Sequence, residues 1–314
     1  MTDVLTFGES MVSLRADGLI RAGGPLHTSV AGAETNVAIG LARLGHDVRW
    51  VGLTGADEFG RLVLRTLRAE NVDLAHSAVS EDGPTGLVVF EPRTPDVTRV
   101  AYYRSGSAGS RLTAQHLAPA LADGARVVHT TGVTAALGPG PLEAVRSALR
   151  EATEQSVTTC FDVNYRAKLW SPEEAATALR PLVASVDILV ASDDELSVVT
   201  PASARTERER VESLLERGVR EVVVKRGAEG AEVFHPGSAA RPAVPVPVRD
   251  TVGAGDAFVA GYLSAWLDGE PVGDRLARAV TTGAFAVATP GDWEGAPMRD
   301  ELGLIRATPG STLR

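Results

Sequence analysis

The chain has 314 residues, 44% of them hydrophobic, and a formal net charge of −9. That suffices for a sizeable core in one large α/β domain or two modest ones, and the acidic balance argues against a general nucleic-acid or membrane-surface partner while leaving room for a local basic pocket. Residues 1–7 carry no basic or long apolar leader and no run approaches ~20 apolar residues; the single Cys160 excludes an internal disulfide framework, so a reducing cytoplasm is expected and Cys160 reads as a small core residue.

In chain order, residues 4–7 predict a short buried strand that ends at Gly8-Glu9-Ser10. Polar residues at a strand's carboxyl end lie on the usual ligand side of an open α/β sheet. Residues 11–30 keep no helical period and hold Gly18, Gly23, Gly24 and Pro25, which predicts irregular or hairpin structure outside the main layer. Ala31-Gly32-Ala33-Glu34-Thr35-Asn36 then leads into an apolar helix stopped at Gly45. A strand follows over 48–53, and a helix over 59–67 with arginines on its wet side. Two runs, 85–90 and 99–104, break this rhythm on either side of a charged, proline-bearing turn, and predict a hairpin. Together they suggest a small β lid built from about 9–30 and 85–106. Period 2 sets Tyr102 and Arg104 on one face of it, where they suit a polar, acidic small molecule or are ordinary exposed strand residues.

From there the alternation is regular. Strands are expected at 125–129, 157–163, 186–190 and 219–224, and helices at 139–154, 172–184 and 206–217, which predicts a mostly parallel sheet covered on both faces. Ser171-Pro172-Glu173-Glu174 is a good helix start. Residues 241–248 alternate valine with proline, so they belong on an edge or in an extended connector. The last long helix is expected over 275–288, and the tail from Thr308 is expected to fray. No repeat or linker divides the chain, so residues 1–314 read as a single domain.

The chemistry concentrates at Asp250-Thr251-Val252-Gly253-Ala254-Gly255-Asp256, a loop opening an apolar helix. Its glycines let a ligand approach the backbone, and the free amides with the helix dipole make an anion seat that also keeps Asp256 ionised. A base beside such a seat suits phosphoryl transfer to a hydroxyl; a capped turn explains the same residues. In Asp162-Val163-Asn164-Tyr165-Arg166 the alternation sends Asp162, Asn164 and Arg166 one way, toward a ligand or one another. In Ser192-Asp193-Asp194-Glu195 the aspartates suit a helix cap, whereas Glu195 could hold Mg²⁺ through water. Lys225 to Gly230 is by itself a glycine hairpin. No Walker A pattern occurs, G-x-G-x-x-G is not completed because position 258 is Phe, and the six histidines lack metal-ligand spacing, so no structural metal is expected.

Gly32 to Gly40, Lys225 to Gly230 and above all Asp250 to Phe258 resemble the two signatures of the ribokinase-like (PfkB) carbohydrate kinases, and the resemblance runs from about Val4 to Leu304. Within the family, Asp162 to Arg166, Tyr102-Tyr103-Arg104 and Gly291 to Pro297 resemble the 2-keto-3-deoxygluconate kinases. The resemblance implies a three-layer α/β/α sandwich with a small β-sheet lid, ATP and Mg²⁺, and phosphorylation of a sugar acid's 6-hydroxyl. It implies Asp256 as base with Gly253, Ala254 and Gly255 as anion hole. Gly32, Asn36, Tyr102, Arg104 and Arg166 would hold the small-molecule sugar acid. Asn164, Ser192, Lys225, Gly227 and Gly230 would border the nucleotide, with Glu195 toward the metal. It also implies a homo-oligomer through the lid. Two departures stand out: Ser192 replaces the family's usual asparagine, and Val88 stands where this subgroup is expected to have a tyrosine. Charge separates the substrates, because a sugar acid needs a cation and Arg104 and Arg166 offer two. A neutral-sugar kinase of the fructokinase or ribokinase type is the alternative, and a non-catalytic sugar-binding module is a further one that Asp256 argues against.

Overall fold

Neighbouring apolar residues in the central strands go to opposite faces, and both faces are buried. Leu5, Phe7, Val128, Phe161, Leu189, Val222 and Val224 join one core; Val4, Val127, Cys160, Ile188, Val190 and Val223 join the other. Strands without a wet side need helices on both faces, which makes the body a three-layer α/β/α sandwich. The computed structural model describes residues 2–94, 97–235 and 238–306; the tail from Thr308 lies outside the described residues.

The chain runs through β1 (Thr2–Phe7), β2 (Met11–Ala16), β3 (Leu26–Ala31), α1 (Ala33–Arg43), β4 (Val48–Val51), β5 (Leu53–Gly55), α2 (Glu58–Ala69) and β6 (Ala78–Ser80). The hairpin β7 (Leu87–Thr94) and β8 (Val97–Tyr103) precedes α3 (Ala114–Asp123), β9 (Ala125–Thr131), α4 (Gly132–Ala135), α5 (Pro139–Glu154) and β10 (Thr158–Asp162). Then come α6 (Pro172–Leu179), β11 (Ile188–Ser192), α7 (Leu196–Val199), α8 (Glu207–Glu216), β12 (Glu221–Lys225), β13 (Ala231–Phe234), β14 (Ala239–Arg241), α9 (Ala254–Leu267) and α10 (Val272–Val287).

The main sheet has the order β14-β13-β12-β11-β10-β9-β1-β4, parallel from β12 to β4 and antiparallel at the β13 and β14 edge. Residues 242–248 leave the sheet beyond β14, as prolines without N–H groups require. The helix expected over 172–184 is α-helical only to Leu179 and continues as a 3₁₀ turn over Arg180–Ser185, because Pro181 cannot donate to a helical bond. The strand expected over 48–53 is two strands, and the second turns away to pair with β6.

Residues 11–30 form the antiparallel pair β2–β3, and β2 also pairs in parallel with β7. The resulting sheet, β3-β2-β7-β8, is the lid, closed around Met11, Ala31, Val88 and Phe90. Beneath it α9 is apolar on every side and packs between α1 and α10. The α1 contact is close: a Cβ on Gly40 would lie 2.7 Å from the Cβ of Ala260. At the other end Gly253 holds a left-handed φ of 72° before the first turn of α9, and a Cβ there would stand 1.8 Å from the Asp292 carbonyl oxygen. Both facts demand glycine. Gly253→Ala is therefore expected to cost at least about 1–2 kcal/mol from the backbone conformation alone, with more from the clash, and a denaturant melt that shows less than half that loss would refute the account.

Candidate active site

The carboxyl ends of β10, β11 and β12 and the first turns of α1 and α9 meet under the lid around a cavity of about 630 Å³, a size ordinary for a small-molecule site. Asp256 lies in the first turn of α9. Its Oδ2 accepts a hydrogen bond from Asn36 Nδ2 of α1 at 2.8 Å, and its Oδ1 a longer one from Asn164 Nδ2 at 3.5 Å. The Oδ1 atoms of Asn36 and Asn164 are buried without a partner, an arrangement that a ligand donor would complete. Ahead of Asp256, Ala254 N–H makes only a 3.4 Å contact with the Thr251 carbonyl, and among the described residues the N–H groups of Gly253, Gly255 and Asp256 have no backbone acceptor. Bare amides at the positive end of a 14-residue helix form an anion seat.

The state of Asp256 differs from the expectation that the helix end keeps it ionised. Burial pushes its carboxyl up to about 7; the Asn36 hydrogen bond pulls it down, the neighbouring Asp162 charge pushes the same way as burial, and Arg166 and Lys225 oppose. Desolvation outweighs the dipole, and the result is a carboxyl that changes charge near neutral pH, the range in which a general base works.

The cations around the cavity fall into two groups. Lys225 Nζ donates to both oxygens of buried Asp162 at 2.9 Å, and a Cβ on Gly255 would lie 3.5 Å from that ammonium, so Lys225 stands against the anion seat. Burial acts to lower the Lys225 pKa, but Asp162 and Glu195 hold it above its ordinary value. Arg104 donates from Nε to Oε2 of Glu9 at 2.7 Å and its Nη2 pairs with the same oxygen. Arg166 and Lys168, by contrast, hydrogen-bond among the described residues only to backbone oxygens, those of Tyr165 and of lid residue Val100, and Lys168 Nζ also stands 5.7 Å from the centroid of the Tyr102 ring.

Of the residues singled out from the sequence, Gly32, Asn36, Tyr102, Arg104, Asn164, Arg166, Ser192, Glu195, Lys225, Gly253, Gly255 and Asp256 line this cavity. Ala254 lies between two lining residues, whereas Gly227 and Gly230, in the turn from β12 to β13, are not on its wall. Glu195 ties two loops together by accepting the N–H groups of Tyr165 at 2.7 Å and Ser192 at 2.8 Å, and the Ser192 hydroxyl donates to Asp194. Val88 also lines the cavity. Sequence reasoning assigned no role to Glu9, Lys168 or Asp292, and left Asp162 without its partner. The signal for Glu9 and Asp162 was present, each being an acid at the carboxyl end of a buried strand; nothing local marks Lys168.

A carboxyl beside bare helix-end amides in a pocket of this size suits phosphoryl transfer to a small alcohol. More narrowly, the chain belongs to the pfkB family of carbohydrate kinases, whose family model matches residues 1–299. It is 35% identical to a 2-dehydro-3-deoxygluconokinase of Thermoproteus tenax, over 98% of this chain and 95% of that protein. It is 34% identical to a 2-dehydro-3-deoxygalactonokinase of Haloferax volcanii, over 97% and 99%. An E. coli protein solved in complex with ATP and Mg²⁺ superposes with a TM-score of 0.89 at 25% identity, covering 97% of this chain and 99% of that one. The protein is a phosphotransferase with an alcohol group as acceptor. Among the described residues no helix is long and apolar enough to cross a membrane.

Because the folded protein holds the Asp256 proton to about pH 7 and an unfolded aspartate releases it near 3.9, the native state binds the extra proton between those values. Stability from this group is present at low pH and is lost as pH rises through 7. Asp256→Asn removes the cost of a buried charge, so its melting temperature is expected above wild type at pH 8, with the gap closing toward pH 5. A gap that is constant or reversed across that range would rule out a buried, neutral-pH carboxyl.

Proposed function

We propose that the protein transfers the γ-phosphoryl group of ATP to the 6-hydroxyl of 2-keto-3-deoxygluconate, giving 2-keto-3-deoxy-6-phosphogluconate. The observation that carries this reading is Arg166, an exposed guanidinium on the cavity wall whose only hydrogen bond among the described residues is a 3.4 Å contact with the Tyr165 carbonyl. A neutral sugar gains ordinary hydrogen bonds from such a cation, whereas a carboxylate can take two of its N–H groups at once with charge assistance. Lys168 stands nearby on the same wall, and the names of the relatives point to the same substrate class. Arg104 is already paired with Glu9, so it acts as a partly neutralised donor beside Tyr102 more than as the principal grip.

In this reading Asp256 takes the proton of the 6-hydroxyl as that oxygen forms its bond to the γ-phosphorus and the bond from phosphorus to the bridging oxygen of ADP breaks. Asn36 and Asn164 fix the carboxylate's orientation. The amides of Gly253, Ala254 and Gly255 and the ammonium of Lys225 take up the charge that develops on the transferred group. Glu195 suits Mg²⁺ held through water: each of its oxygens accepts one neutral backbone N–H, so its charge is not paired off and lone pairs remain. The ion would supply neutralisation of phosphate charge. Ser192 and the turn at Gly227 and Gly230 border the nucleotide in this reading. Tyr103 and Val97, at 66% and 55% exposure on the lid's edge strand β8, support a homo-oligomer through the lid, and buried Cys160 suits a reducing cytoplasm.

A coupled ADP-release screen over 2-keto-3-deoxygluconate, its galacto epimer, fructose and ribose is expected to favour the acids by at least about 10²-fold in kcat/KM, equivalent to roughly 3 kcal/mol of charge-assisted binding. Preference for a neutral sugar would replace the substrate and leave the kinase. Asp256→Asn is expected to lower kcat by roughly 10²–10⁴ with little change in KM; near wild-type turnover would remove Asp256 as the base. Arg166→Ala is expected to raise KM for acids by about tenfold or more and leave neutral sugars unchanged. Equal losses on both would assign Arg166 to the nucleotide or to structure.

A further inference from the structure

We propose that Arg15, on lid strand β2, is a positioning residue for phosphoryl transfer: one guanidinium holds together the two segments that frame the Gly253–Gly255 amides and fastens both to the lid. The inference rests on the role given above to those amides. Arg15 Nη1 donates to Asp250 Oδ2 at 2.7 Å and Nη2 donates to Asp292 Oδ2 at 3.0 Å. Its charged carbon lies 4.1 Å from the centroid of the Phe90 ring on β7, so the planar group is held by stacking as well as by its two carboxylates.

Each partner belongs to one wall of the anion seat. Asp250 opens the loop that becomes α9; its Oδ1 accepts the Val252 N–H at 3.0 Å and its Oδ2 the Gly291 N–H at 3.3 Å. Asp292 sits in the loop behind the seat, and its backbone carbonyl is the atom against which Gly253 is pressed. A second lid residue reaches the same loop. Ser29 on β3 donates to Glu294, whose other oxygen accepts the N–H groups of Asp292 at 2.8 Å and Trp293 at 3.1 Å. The position of the lid and the spacing of the amides are thus coupled, through Arg15 to both segments and through Ser29 to the Asp292 loop alone.

Charge points the same way. The side chains of Asp292 and Asp250 are only 5% and 16% exposed. Without Arg15 two carboxylates would stand uncompensated beside the place where a polyphosphate lands, repelling it and each other. Arg15 itself is not on the cavity wall, so it is placed to act through Asp250 and Asp292. Its loss should therefore appear in turnover and in the nucleotide's KM more than in the sugar's.

The test compares full-length wild type, Arg15→Ala, Arg15→Lys and Arg15→Ala combined with Asp292→Asn, using ATP and whichever sugar the wild type accepts best, with melting temperatures alongside. Arg15→Ala is expected to lower kcat at least tenfold and raise KM for ATP while KM for the sugar stays within threefold. Arg15→Lys, whose shorter, compact ammonium lacks the planar fork that meets both carboxylates and stacks on Phe90, is expected to stay at least threefold below wild type. Adding Asp292→Asn to Arg15→Ala should recover at least threefold in kcat by removing the stranded charge, and millimolar guanidinium ion should raise the turnover of Arg15→Ala without raising that of the wild type. Turnover of Arg15→Ala within threefold of wild type overturns the proposal. So does a loss that follows the melting temperature and answers neither to Asp292→Asn nor to guanidinium. Asp256→Asn run in parallel separates the two failures: if it is inactive while Arg15→Ala is unaffected, only the role of Arg15 falls, and if it turns over normally, the reading of the site falls with it.

Discussion

A single hydrogen bond, from Asn36 Nδ2 to Asp256 Oδ2, joins the first turns of two helices whose packing would tolerate no extra methyl between Gly40 and Ala260. Everything in the site is measured from that junction. It buries an acid where two positive helix ends converge, so two large effects oppose: the dipoles favour the anion and the loss of water favours the neutral acid. Loss of water wins by enough to bring the acid to about 7 and not far beyond. A group so balanced can hold or release a proton near neutral pH, which is what the base proposed for this site requires.

The cations show how the same pocket separates structure from recognition. Lys225 and Arg104 each spend their charge on a buried acid, and such pairs add little net stability once desolvation is counted. What they add is position, an ammonium set against Gly255 and a guanidinium set beside Tyr102. Arg166 and Lys168 hydrogen-bond to backbone oxygens, and Lys168 also stands 5.7 Å from the Tyr102 ring. Two cations without a carboxylate partner among the described residues give this opening a local positive charge within a chain of net charge −9.

The layered body was legible because its signals are local. Buried strands, capped helices and the two glycines ahead of Asp256 can each be read within a dozen residues, and the helix over Pro139–Glu154 has the boundaries that its pattern predicts. Illegible were the pairings: Glu9 with Arg104, Asp162 with Lys225 and Arg15 with Asp292 are separated by 95, 63 and 277 residues, and no periodicity connects them. Arg15 was hidden further because Gly18, Gly23 and Gly24 obscured the strand that holds it. Once β2 is known, alternation puts Arg15 on the face of Met11, which lines the cavity. The ionisation of Asp256 was misjudged for a similar reason, since a helix start is visible in a sequence and the depth at which it is buried is not.

The lid is drawn from two separate stretches, and its central pair, Val12 opposite Leu87, closes around the whole of α1, β4, β5, α2 and β6. It cannot be a folding unit in its own right, because closing so long a loop costs entropy that only the intervening body can offset. Assembly is consequently ordered, scaffold before cover, and a nascent chain stalled ahead of residue 87 would expose one edge of β2 to the first foreign strand it met.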